Sequence, residues 1–243
     1  MGGAPDAPQY PPVGAHVDYY LAAEPAGPVT LEILDAAGTV IRGFSSEVPT
    51  GSGSAAGQGM GRPGRPRPAP SRVEKTRGMH RFRWDLRYPG VAGGGRGGDG
   101  PMAVPGRYHV RLRVGGWSAT QPFEVRIDPR VAADGVTQAD LVEQLDLLVK
   151  VRDAVAEARR LAEQVREARE RAAGDPDRAR TLGAIHDRLV TSGGSYPQPM
   201  LIDQFANIFR MLGQADQKPG RDAWTRYEDL VKDLEAIKAA IPR

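Results

Sequence analysis

Four histidines, a few strand-borne carboxylates and a row of arginines are the side chains of this 243-residue chain whose types could do chemistry. A metal site needs several imidazoles, thiolates or carboxylates converging on one ion. His80 shares the parity of Phe82 and Trp84, whereas His109 lies opposite Tyr108 and Val110, so the two point to different faces and cannot share a metal. His186 stands alone on a helical stretch between Ile185 and Asp187, and His16 opens a short strand. There is no cysteine, which removes thiolate zinc sites and disulfides and leaves the compartment open. No metal and no cofactor is expected. Nucleophilic catalysis needs a serine or threonine beside a histidine and a carboxylate. The serines mostly fall in loops (Ser45, Ser46, Ser52, Ser54, Ser71, Ser192, Ser195), and no G-x-S-x-G elbow occurs. Glycoside hydrolysis needs two opposed carboxylates. Asp18 and Asp85 are the strand carboxylates of that type, and Asp85 shares its face with Arg83 and Arg87, which reads as a surface ion pair. No catalytic residue is assigned, and the chain is expected not to be an enzyme.

The arginines are more specific. Arg81, Arg83, Arg107, Arg111 and Arg113 occupy the polar positions of two alternating stretches, and Trp117 follows the glycine pair between the second stretch and the next. If these strands neighbour one another, the five arginines gather on one wet face. That face, with Trp117, would bind an anionic glycan or an acidic protein patch. The alternative is that carboxylates from other strands or helices neutralise them. The formal net charge is only +3, far short of a nucleic-acid-binding tract, so no nucleic acid is expected. No apolar run approaches the ~20 residues of a membrane span. The start, MGGAPDAPQYPP, lacks the basic and apolar regions of a signal peptide and reads as a fragment boundary, which leaves an upstream export signal open.

Period-two alternation marks the elements that would hold these residues. Residues 16–21, 29–33, 39–44, 81–87, 107–114 and 123–128 each alternate apolar and polar, with Asp35-Ala36-Ala37-Gly38 and Gly115-Gly116 as hairpin turns. Residues 78–130 should therefore form three strands of one antiparallel sheet, and the six strands together an immunoglobulin-like β-sandwich over 14–130. Residues 1–13 read as an extended lead-in. The stretch 45–77 has too few aliphatic residues to offset its ordering entropy and reads as a disordered insertion. The glycine-rich stretch 91–101 runs from strand to strand, unlike a phosphate-binding loop, and reads as a mobile hairpin tip. After Asp128 the period changes. Thr137 with Asp140 makes a capping box, and Leu141, Leu145, Leu148, Val151 and Val155 recur at helical spacing. Breaks at Gly174-Asp175-Pro176, at 193–199 and at 213–220 divide 137–243 into an antiparallel bundle of three long rods, the middle one broken. The fold class is α+β, in two domains.

Several separated segments carry a resemblance: RFRWDLRYPG, VPGRYHVRL, TQPFEVRIDPRV, VTQADLVEQLDLLVKVRD and YPQPMLIDQFANIFRMLGQADQKPGRDAWTRYEDL. Together, over about residues 14–241, they resemble the C-terminal region of secreted bacterial proteins with BNR-repeat, sortilin-type β-propellers, often labelled glycosyl hydrolases. The WDLRYPG and PGRYHV pair also resembles the immunoglobulin-like domain of flagellar hook-capping proteins. The resemblance implies a periplasmic or secreted location and an upstream propeller, or another protein, as partner. Any hydrolase activity that it implies belongs to the propeller and not to these residues. The expected function is a non-catalytic structural or interaction module that mediates packing, partner binding or oligomerisation. The alternatives are an accessory part of a glycoside hydrolase, or a glycan- or polyanion-binding module using the arginine face.

Overall fold

The computed structural model of the chain describes residues 14–47, 72–91, 100–194 and 197–242. Among these it is an α+β protein with two antiparallel sheets and five helices. The expected lead-in 1–13, most of the expected disordered insertion (48–71) and most of the expected mobile tip (92–99) lie outside the described residues.

The first sheet pairs β1 (Ala15–Leu21) with β4 (Gly78–Trp84). The second runs in the order β3 (Val40–Ser45), β2 (Val29–Leu34), β5 (Gly106–Val114), β6 (Trp117–Val125). The expectation of one sheet over 78–130 is thus corrected: β4 leaves β5 and β6 and joins β1. Packing explains it, because a sheet with one apolar face needs a cover. Phe82 and Trp84 supply that cover, with Phe82 4.7 Å from Phe44 and Trp84 5.8 Å from Tyr108 and 6.0 Å from Phe123, ring centre to ring centre. Val29, Leu31, Ile33 and Trp84 are fully buried.

Local chemistry sets the strand ends. Asp35 accepts from the amides of Ala37 and Thr39 through Oδ1 (2.9 and 2.8 Å), and Gly38 takes a φ of 83° to close the β2–β3 turn. The alternation expected to continue to Leu86 and Arg87 stops at Trp84. Leu86 adopts a φ of 58°, a left-handed conformation that costs a side-chain-bearing residue roughly 1–2 kcal/mol. The bend is bound on both sides. Asp85 Oδ1 accepts from the Arg87 amide (3.2 Å), and the Arg87 carbonyl accepts from Trp84 Nε1 (3.1 Å) and Arg42 Nη1 (3.0 Å).

The ends of the expected insertion 45–77 are ordered, which corrects its boundaries. Ser46 is buried, donates its amide to Val29 O and accepts the Val29 amide at Oγ, both at 2.9 Å. Arg72 Nε donates to Ser46 O at 2.8 Å, and Val73, also buried, donates to Ser45 O at 3.4 Å. The chain therefore leaves and returns at one point. Replacing residues 48–71 by a glycine-serine linker a quarter as long should preserve both sheets and stabilise them by about 1 kcal/mol, from two halvings of the loop length. Amide hydrogen exchange of β2 and β3 checks this, and loss of their protection would show that the segment is needed for the fold.

The chain divides into two compact units, Met1–Arg87 with Arg107–Glu124, and Tyr88–Gly106 with Val125–Arg243. The connection between β4 and β5 thus belongs with the helices, where its expected place was in the sheet domain. Val91 explains the difference: it is buried in the same apolar cluster as Leu147, Leu148 and Val151. Gly100 and Pro101 are buried as well. The ends of the stretch 91–101 are therefore packed and are not part of a free hairpin tip.

In the helical unit a five-residue helix, α1 (Pro129–Ala133), precedes the long α2 (Gln138–Arg171), and the sequence pattern did not reveal it. Thr137 and Asp140 form the reciprocal cap of α2, whose 34 residues span on the order of 50 Å. The middle rod is two helices, α3 (Pro176–Leu189) and α4 (Leu201–Leu212), and α5 (Arg221–Ala239) is last. Arg169 lies against Gly183 and Glu163 near His186, so α3 runs antiparallel to the second half of α2. Trp224 meets Glu143 and Lys238 meets Glu157, so α5 runs parallel to its first half. The core of the unit joins Leu147, Val151, Val155 and Val165 of α2 to Leu189, Phe205, Leu230 and Leu234.

Candidate interaction surfaces

Sheet membership decides the fate of the arginine row. Arg81 and Arg83 are exposed on the β1–β4 sheet, while Arg107, Arg111 and Arg113 belong to β5 in the other sheet. The two sheets cover each other through their aromatic faces, so their polar faces are turned apart. The structure does not bring the five arginines together. Most of them are also neutralised in place. Arg81, opposite Asp18 in the register, holds it through two bonds of 2.7 and 2.8 Å. Those hydrogen bonds and the guanidinium charge lower the Asp18 carboxyl below its usual range and raise Arg81. Arg111 Nε lies 2.6 Å and Arg113 Nε 3.3 Å from one carboxylate oxygen of Glu32, the residue opposite Arg111 on β2. Arg107 is exposed at the start of β5. Asp85 pairs with Arg42 of β3 at 2.8 Å and also accepts from the Arg87 amide. Trp117 is 57% exposed, beside the β5–β6 turn.

The histidines are separated too. His80 Nε2 lies 2.7 Å from Thr76 O on one sheet, and His109 Nδ1 3.4 Å from Asp35 O on the other. Among the described residues no group of three or more histidines and carboxylates could hold a metal, and no helix is long and apolar enough to cross a membrane. Among the described residues, four carboxyls depart clearly from their ordinary range: Asp18, Asp128, Asp140 and Glu163. All four are lowered, first by a side-chain hydrogen bond, from Arg81, Arg130, Thr137 and Arg166 respectively. Asp128 reaches about 2. These groups are held as carboxylates, the opposite of what a general acid needs near neutral pH.

Two apolar features escaped the sequence reading. Tyr20 and Met79 are cross-strand partners on the polar face of the first sheet, 60% and 69% exposed. The larger feature is a groove in the helical unit, of about 1230 Å³, between α4 and the first turns of α5. Its floor is apolar: Ala206, Ile208 and Leu212 are buried there. The α4 rim carries Asp203, Gln204, Asn207, Arg210 and Met211, and α5 contributes Asp222 and Arg226. Met211 is 56% exposed. The helical period places it off the stripe formed by Leu201, Phe205, Ile208 and Leu212, and that mismatch is the one sequence signal that could have marked this helix edge.

Buried polar contacts hold the groove's shape. Gln144 of α2 is 6% exposed, and its Nε2 donates to Leu212 O (2.7 Å) and Ala215 O (2.6 Å). This single amide satisfies two carbonyls where α4 ends and the wall of residues 213–220 begins. On the other wall Thr191 Oγ1 accepts from the Met200 amide (2.9 Å), and Gln204 Nε2 donates to Pro199 O (2.8 Å). Arg226 in turn donates to Gln204 Oε1 across the groove. Asn207 accepts from Arg210 Nη2 at 2.9 Å. The rim is thus a row of amides and charges along one helix edge, above an apolar floor. Comparison of the chain with protein-family models, with curated proteins and with solved structures finds no match.

Proposed function

We propose that the chain is a non-catalytic interaction module, an immunoglobulin-like sandwich joined to a helical bundle, and that its α4–α5 groove takes an extended segment of a partner protein. The groove carries this reading. At about 1230 Å³ it exceeds the ~300–1,000 Å³ of ordinary small-molecule pockets. Gln204, Asn207 and Arg210/Met211 recur at helical steps along its rim, which suits the repeated amides of a peptide backbone better than one functional group. Exposed Met211 supplies an adaptable apolar contact for the partner's side chains. The resemblance to exported sortilin-type propeller proteins supports a periplasmic or secreted setting and a propeller as the companion domain. The neutralised arginines lend no support to the polyanion alternative.

A library of displayed peptides selected on the purified chain tests the proposal. Enriched sequences should bind the native chain and lose at least tenfold in affinity to Met211→Glu and to Asn207→Ala. Peptides that bind both variants as well as the native chain would remove the groove from the proposal. Turnover of a panel of chromogenic glycosides that is lost in Asp18→Asn or Asp85→Asn would overturn the non-catalytic reading.

A further inference from the structure

β4 and β5 belong to the sheets, yet the chain between them, Tyr88–Gly106, is part of the helical unit. This strap is fastened to a single helix. Arg152 Nη1 donates to Pro89 O at 3.3 Å, and Gln138 Nε2 donates to Pro105 O at 2.8 Å. Both donors are on α2, two heptads apart, so they fall on nearly the same side of the helix and on the order of 20 Å apart along its axis. Between these fastenings Val91 is sunk in the helical core. The two arms of the strap are also bound to each other, the Tyr88 amide donating to Pro101 O at 2.9 Å. A Cβ on Gly100 would lie 1.8 Å from Tyr88 O, so the arms meet as closely as backbones can.

We propose that α2 works as a strut for the β4–β5 crossover. A helix is stiff, so its two fastenings hold the Pro89 and Pro105 carbonyls at a set separation. They thereby tether the chain shortly after β4 and just before β5 to one helix. The two strands lie in different sheets, so the strap is also the chain's direct path from one sheet to the other. The order of the helical unit is in this way read out in two strands of the other unit through the covalent chain. A connector that was merely long would leave those strands indifferent to the helices. This inference is independent of what the groove binds.

Amide hydrogen exchange on the full chain tests it, comparing the double variant Gln138→Ala/Arg152→Ala with the native chain. Both side chains lie outside the buried stripe of α2, so the helices should keep their protection. The end of β4 and the start of β5 should exchange at least fivefold faster, with the β2–β3 turn unchanged as an internal control. Unchanged β4 and β5 would overturn the strut. Val91→Asp provides a second lever that unseats the strap from the core. Loss of helical protection accompanied by faster exchange in β4 and β5 supports the coupling, and loss of helical protection alone refutes it.

Discussion

Trp84→Ala is expected to destabilise the sheets by about 3–5 kcal/mol, the range for a fully buried large aromatic. Its indole has no exposed surface and packs against the rings of Tyr108 and Phe123, which stack on each other at 5.8 Å. Truncation would therefore empty the space between the sheets where β4 covers β5 and β6. Trp84→Phe separates packing from hydrogen bonding. It also removes the Nε1 donor, but the Arg87 carbonyl keeps Arg42 Nη1 at 3.0 Å and is not orphaned. The phenylalanine variant should cost only about 1–2 kcal/mol, mostly lost volume. With two units in one chain, a single unfolding midpoint is not a clean measure. Hydrogen exchange of β2 and β5 reports the sheets alone. A loss below about 1 kcal/mol for the alanine variant, under the range for such truncations, would show that the ring is not the keystone of the inter-sheet packing.

Gln144→Leu is the second large effect, expected at about 2–4 kcal/mol. Leucine conserves most of the volume and suits a helix, so the loss is the desolvation of two carbonyls, at about 1–3 kcal/mol for each acceptor left bare. Leu212 O and Ala215 O both depend on the one buried amide. Gln144→Glu discriminates further. It keeps the shape but turns a carboxylate toward two acceptors, and should be worse than leucine at neutral pH and recover as acid protonates it. Protection at the end of α4 and in residues 213–218 gives the readout. If both variants leave it unchanged, the groove is shaped by apolar packing alone. The two predictions address different units, so their effects should add.

Much of the local structure was legible in the sequence. Alternation placed Phe82 and Trp84 inward and Asp18 and Arg81 outward. Gly115-Gly116 marked a hairpin, and Thr137 with Asp140 marked the start of α2. Each of these signals acts over a few residues, through backbone geometry or a side chain's nearest amides. The end of β4 was misplaced because Leu86 adopts a conformation that its residue type disfavours, stabilised by Arg42 from β3. Helix α1 was missed because five residues are too few to show a period.

What only the tertiary structure decided is partnership. Parity states which way a side chain points within its own strand and is silent on which strand lies alongside. Arg81 and Arg111 thus have the same local pattern but belong to different sheets, and the expected cationic face is divided. The carboxylates that neutralise the arginines, Asp18 and Glu32, come from strands far away in sequence. The groove likewise exists because α2 claims one side of α4 and leaves Asn207 and Met211 on another. The glycine-rich connection looked like a free tip because composition measures what a segment can bury by itself. Val91 is one apolar residue in a poor neighbourhood, and its burial depends on a core that the helices build. Pairing, neutralisation and burial by a distant core are properties of the whole chain, and no window of the sequence contains them.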